Sequence, residues 1–167
     1  MDAEFDFILH DLVQRLARAV AGGTASAWRD EHARWDLYRQ AATIPQATEL
    51  LRQVVEIEPV GSLASAAVVM MLERVIPSER IGWIEVLDPS VRSYPEVRAR
   101  ELGILEVVSS GVLRDGVNAD TVEDWSDWLQ RRVAESSGNR QILSVLADHA
   151  RTKKIRRLAQ EALDDKN

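Results

Sequence analysis

The 167-residue sequence predicts an all-α fold, an antiparallel stack of about nine helices built either as an α-solenoid or as an irregular helical bundle. Three observations carry this. Apolar residues recur at intervals of three and four along most of the chain, the period of a helix face. Only 8 Gly and 5 Pro interrupt the pattern, and both are costly in helix interiors. No segment sustains the alternation of a half-buried strand; the Val68-Val69 pair comes nearest, but its helical flanks decide against it.

Taken in order, Phe5, Ile8, Leu9, Leu12, Val13, Leu16 and Val20 mark a first helix over about Ala3 to Ala21, ended by Gly22-Gly23. A second is expected from Ser26 to Ala42, with Trp28, Trp35, Tyr38 and Ala42 on one side, broken at Pro45. Ala47, Leu50, Leu51, Val54 and Val55 define a third, stopped by Pro59 and Gly61. The fourth, Ser62 to Ile76, is apolar nearly all round and is expected to be the most buried. Pro77-Ser78 opens a short fifth helix with Ile81, Trp83, Ile84 and Leu87, and the Asp88-Pro89-Ser90 loop follows. Ser93-Tyr94-Pro95-Glu96 has capping-box spacing and starts a sixth helix that buries Val97, Leu102, Leu105 and Val108. After an Asp115-Gly116 turn, a seventh helix starts near Asp120, with Val122, Trp125, Leu129 and Val133 as its inner stripe. Ile142, Leu143, Val145 and Leu146 form an eighth; a ninth, capped by Thr152, uses Ile155, Leu158, Ala159, Ala162 and Leu163. The whole of 1–167 reads as a single domain, with 88–95 as the candidate place for a subdivision.

Composition narrows the function. Hydrophobic residues at 46% and charged residues at 29% are ordinary globular usage. The lack of cysteine removes disulfides, thiolate metal sites and cysteine nucleophiles, and is compatible with a reducing cytoplasm. Met1 to Asp6 carry three acids and no base, the reverse of a secretory leader, so no targeting segment is expected. The longest apolar run, Val60 to Leu72, is shorter than the roughly 20 residues a bilayer requires, so no membrane association is expected. The net charge of −6 is uneven: residues 1–139 hold 14 Lys+Arg against 23 Asp+Glu, whereas residues 140–167 hold seven bases against four acids. An acidic body with a basic tail disfavours nucleic-acid binding by the whole surface and leaves room for one local basic contact.

Two helices resemble the inner helix of HEAT-type (armadillo-like) repeats, which reads Val/Ile-Arg, a small residue three positions on, then Leu. Pro95, Val97, Arg98, Glu101, Leu102, Gly103 and Leu105 follow it with Glu101 in the small-residue position; Ile155, Arg156, Ala159, Ala162 and Leu163 follow it more closely. The likeness covers about a third of the chain, and its two instances lie further apart than one repeat of about 40 residues, so it resembles a degenerate stack. What the resemblance implies is a scaffold that binds a partner along one surface. It supplies no catalytic residue.

Three clusters merit attention. Trp28, His32 and Trp35 share a face if the second helix begins at Ser26, offering an aromatic pocket for a cation; packing of the tryptophans into the core is the commoner outcome. Asp124 and Asp127 flank Trp125 and Trp128, a tryptophan-carboxylate patch suited to a basic protein partner, though acids in a first helical turn also serve the helix dipole. Lys153, Lys154 and Arg157 begin the last helix, where bases oppose the dipole and an anion would be welcome; a solvated basic face is the plainer reading. His10 and His149 stand alone, and no catalytic, metal or cofactor motif (HExxH, GxSxG, P-loop, GxGxxG) occurs.

The residues therefore lean away from an enzyme and toward a non-catalytic protein-protein interaction module, a small α-solenoid adaptor or inhibitor. An acidic bacterial immunity protein or antitoxin masking a basic toxin is a special case, and the Ala/Arg/Trp/Asp-rich composition resembles that of a high-GC bacterium. The alternative is a nucleic-acid-binding HEAT-like protein using the C-terminal basic helix, with base-excision chemistry resembling that of HEAT-like DNA glycosylases as a special case.

Overall fold

A computed structural model describes residues 3–111 and 117–165, and among them ten α-helices and no strand are found. They are α1 (Ala3–Ala21), α2 (Glu31–Ala41), α3 (Thr48–Glu56), α4 (Gly61–Leu72), α5 (Arg80–Glu85), α6 (Ser93–Ser109), α7 (Ala119–Asp124), α8 (Asp127–Ser136), α9 (Arg140–His149) and α10 (Lys153–Asp164). Three 3₁₀ turns, Pro45–Ala47, Pro77–Glu79 and Pro89–Val91, each start on a proline, whose fixed φ suits a first helical position. Contacts divide the chain into two units, Met1–Ala99 and Arg100–Asn167, and the division falls inside α6. The expected Asp115-Gly116 turn lies outside the described residues.

In the first unit, α1 packs against α2 and α3, α2 against α4, and α4 against α3 and α5. The inner stripe of α1 is Leu9, Val13, Leu16 and Ala17, all buried, while Phe7 and Ile8 face solvent. Ile8 was expected inside; it lies one residue, or about 100°, off that stripe. The helix ends because Gly22 takes φ of +65°, and its N–H donates to the Arg18 carbonyl at 3.0 Å, a left-handed stop that suits glycine. At the start of α4, a Cβ on Gly61 would stand 2.9 Å from Val91 Cγ1. Glycine there lets the Pro89–Val91 turn approach α4. Leu63, Ala64, Ala67, Val68, Met71 and Leu72 of α4 are buried, in keeping with its apolar sequence, but the helix stops at Leu72 and does not reach Ile76, which is exposed.

The second helix differs from its expectation. It begins at Glu31 because Asp30 accepts a hydrogen bond from Ala33 N at 2.9 Å, and an N-cap side chain ends the extended chain that precedes it. Trp28 therefore lies on a turn before α2, and the expected Trp28–His32–Trp35 face does not form. The inner face is Arg34, Tyr38 and Ala41.

In the second unit, α10 packs on α9 and α8, while α9 also meets α7 and α8. Val122, Leu129, Val133, Ile142, Leu143 and Leu146 centre its core, with Ile155 and Ala159 of α10 packed in. Each helix wholly within this unit starts on a polar cap: Asn118, Ser126, Asn139 and Thr152 accept from the backbone N–H of Thr121, Leu129, Gln141 (and Ile142) and Ile155. The Ser126 cap divides the expected seventh helix into α7 and α8. In α6, Val97 is 38% exposed and Arg98 is buried instead, with Arg98 donating to the Tyr94 hydroxyl at 2.9 Å and standing 3.8 Å from Glu73.

Candidate functional site

The turn between α7 and α8 brings most of the tryptophan-carboxylate patch together. Asp124 ends α7 and Asp127 begins α8, both exposed, with half-buried Trp128 beside them. Trp125 is 6% exposed and belongs to the core, so it offers a partner little surface; Trp128 packs against that core only in part. The Arg132 guanidinium lies 5.9 Å from the Trp128 ring centre. Asp127, in the first turn of α8 where the dipole favours an acid, pairs with Arg151 at 2.9 Å. Both partners are about half exposed, so the pair contributes at most about 1 kcal/mol and a competing cation can displace it.

What holds this elbow is a residue the sequence reading passed over. Gln130 is fully buried; its amide donates to the carbonyls of Val122 at 2.7 Å and Trp125 at 3.1 Å, and its oxygen accepts from Arg151 N at 2.9 Å. Arg151 adds bonds to the carbonyls of Glu123 and Trp125 at 2.9 and 3.0 Å. Together they satisfy the carbonyls left over where α7 stops. The sequence signal was faint: a lone glutamine next to Leu129 in an otherwise apolar stripe.

The basic run of α10 is partly spent in the same way. Arg156 donates to the Ala150 carbonyl at 2.7 Å, and Arg157 pairs with Glu161 at 3.3 Å in full view of solvent. Lys153 and Lys154 are exposed and carry no ion pair among the described residues.

In the first unit, Arg34 meets Glu58 through two parallel bonds, Nε to Oε2 and Nη2 to Oε1, both 2.8 Å, and donates from Nη1 to the Trp28 carbonyl at 3.0 Å. The Tyr38 hydroxyl donates to Glu58 Oε2 at 2.6 Å, and Val60 N donates to Oε1 at 3.0 Å. Arg34 and Glu58 side chains are 4% and 0% exposed. Burial works against the guanidinium charge, but the Glu58 carboxylate outweighs it and raises the Arg34 pKa; burial, then the same carboxylate, pushes the Tyr38 phenol far up. Every polar atom on Glu58 is engaged, so the cluster is a fastener between α2, the 22–30 segment and the α3–α4 turn, with no group left to do acid-base work. It was missed because 24 residues separate Arg34 from Glu58; the available signal was an arginine in phase with Tyr38 and Ala41.

The aromatic trio disperses. The His32 side chain is 98% exposed, 3.9 Å from Asp30, and Trp35 is half-buried. Trp28 instead tilts against His10 at 4.9 Å between ring centres, with the Arg29 guanidinium 4.3 Å from its ring. Trp28 also lines a cavity of about 240 Å3 between α1, α2 and residues 22–30. Among the described residues no three His, Asp or Glu gather as metal ligands, and no helix is long and apolar enough to cross a membrane. Comparison with protein-family models, with curated proteins and with solved structures finds nothing that matches this chain.

Proposed function

We propose that the chain is a non-catalytic protein-binding scaffold, a degenerate HEAT-like stack that recognises a basic partner at the α7–α8 elbow through Asp124, Asp127 and Trp128. The observation that carries this is the order of packing. In both units helices two apart are main packing partners (α1 with α3, α2 with α4; α7 with α9, α8 with α10), while helices three apart are not. Stacked hairpins pair that way; a closed four-helix bundle brings its first and fourth helices together. Such stacks work through surface. The elbow places half-buried Trp128 next to Asp127 and on the same turn as exposed Asp124, on a corner held by hydrogen bonds from Gln130 and Arg151, and the net charge of −6 favours a cationic partner. An inhibitor that covers a basic protein is the form of this function that the charge supports best.

The test is recovery of the tagged full-length chain from its native cells at low salt, with stoichiometric partners identified by mass spectrometry. The expected result is a basic protein retained by the wild type and lost by a Trp128→Ala/Asp124→Asn variant. No stoichiometric partner, or equal retention by both, overturns the proposal.

One observation favours a second reading: Lys153 and Lys154 hold no ion pair among the described residues, so a phosphate backbone is a fitting ligand. Lys153→Glu/Lys154→Glu then abolishes salt-sensitive DNA or RNA binding; absence of such binding in the wild type ends that reading.

A further inference from the structure

The cavity beside Trp28 is of the size and chemistry of a ligand site, and neither the scaffold function nor the elbow uses it. Its walls are Val13, Ala17 and Val20 of α1, Ala33 and Leu37 of α2, and the Trp28 ring. The cavity is a cleft that opens to solvent beside the exposed 22–30 segment. It stays unfilled because alanines stand where larger side chains would fill it, and because that segment, its roof, is held off the helices from several sides.

That roof, residues 22–30, is fixed by side chains from both helices and its own end. Gln14 of α1 treats Ala25 as a strand neighbour would, donating to its carbonyl at 2.8 Å and accepting from its N–H at 3.0 Å. Arg34 of α2 holds the Trp28 carbonyl, and Asp30 locks the junction with α2. Gly22, with its left-handed φ, turns the chain out of α1 to begin the roof. A cavity walled by so many specific bonds is preformed, so a ligand need not organise it.

The lining also states what enters. Among the described residues Arg34 is the one charged group in its lining, and its guanidinium is committed to Glu58 and the Trp28 carbonyl. An ionised ligand would find no uncommitted counter-charge in that lining and would lose part of its hydration. Thr24, Ser26 and Gln40 add polar groups to the wall. An apolar cavity of about 150 Å3 holds benzene; this one has room for a fused two-ring molecule.

We infer that this cavity binds a compact, uncharged, mainly apolar small molecule carrying one hydrogen-bonding group, held by Trp28, Leu37 and Val20 with Thr24, Ser26 or Gln40 meeting its polar end.

The test is an amide-resolved NMR titration of the full-length protein with β-naphthol and, separately, with ionised β-naphthoate. The expected result is saturable shifts for Gly23, Ala25, Ala27, Ala33 and the Trp28 indole N–H, with a dissociation constant on the order of 0.1 mM for the alcohol. The carboxylate should bind at least tenfold more weakly. Ala33→Leu and Val20→Trp, which fill the cavity from different helices, should each weaken β-naphthol at least tenfold without lowering the melting temperature. If a filled variant fails to fold, the location of the wild-type shifts and the alcohol-to-carboxylate ratio remain decisive. Absence of saturable shifts, shifts centred outside residues 13–40, equal binding of the two probes, or unchanged binding in a folded filled variant overturns the inference.

Discussion

Glu58 accepts four hydrogen bonds while its side chain is wholly removed from water. Removing one charge of such a pair strands the other. Glu58→Gln should therefore cost about 3–5 kcal/mol in a urea unfolding measurement, far more than the loss of any exposed pair such as Arg157–Glu161. Tyr38 adds a pH signature. Its folded pKa lies well above the ordinary value near 10.0 that the unfolded chain has, so its contribution is complete below about pH 10 and declines above it, by up to about 1.4 kcal/mol per pH unit. Tyr38→Phe should flatten the fall in stability between about pH 9 and 11 relative to wild type; parallel curves would show that the phenol does not titrate on unfolding. Of this cluster only Tyr38 is legible in the sequence, as part of the apolar side of the second helix. A burial pattern read from apolar residues alone passes over Arg34, because the reading assumes that arginine marks the outer face.

The elements show a similar division. The polar cap at Thr152, Ser93 at the start of α6 and the prolines at 45, 77 and 89 place several boundaries to within a residue or two. The failures come where periodicity continues through a break. Val122, Trp125, Leu129 and Val133 keep helical spacing across two helices, so only the capping bond from Ser126 to Leu129 N reveals the elbow. Ser126→Ala should cost about 1 kcal/mol. Gln130→Leu, which keeps the volume but leaves the Arg151 N–H without its partner and takes one of the two donors from each of the Val122 and Trp125 carbonyls, should cost about 2–3 kcal/mol; thermal unfolding ranks the two, and a reversed order would mean the elbow is held by Ser126 rather than Gln130. Trp28 illustrates the converse error. Its spacing to His32 and Trp35 fits a helix, but Asp30 is the better cap and leaves Trp28 on the cavity wall. Gly22→Ala, at a left-handed φ, should lower stability by about 1 kcal/mol.

At the scale of the whole molecule, the helical class follows from side-chain period and the scarcity of Gly and Pro, and the structure agrees. The contact division falls inside α6, which runs on through Pro95 and Gly103 without a break, so no chain break marks it in the sequence. Charge is likewise readable in total but not in arrangement: the basic tail spends Arg151 and Arg156 on backbone carbonyls, and Arg151 also partners Asp127 at the elbow. The acidic patch is thus smaller than its sequence suggests, with Asp124 and the Trp128 edge as its most available parts. A cationic partner steered by a net charge of −6 should associate more slowly as salt rises, while its dissociation rate changes little.

The most direct measurement is the affinity of the co-purified partner for wild type, Trp128→Ala and Asp124→Asn, at low and at physiological salt, with melting temperatures recorded alongside. Trp128→Ala should weaken binding about 30-fold, a hot-spot loss of roughly 2 kcal/mol, and Asp124→Asn should slow association at low salt with a smaller effect at physiological salt. Equal affinities for all three folded proteins at both salts would contradict both expectations and move the working surface away from the elbow.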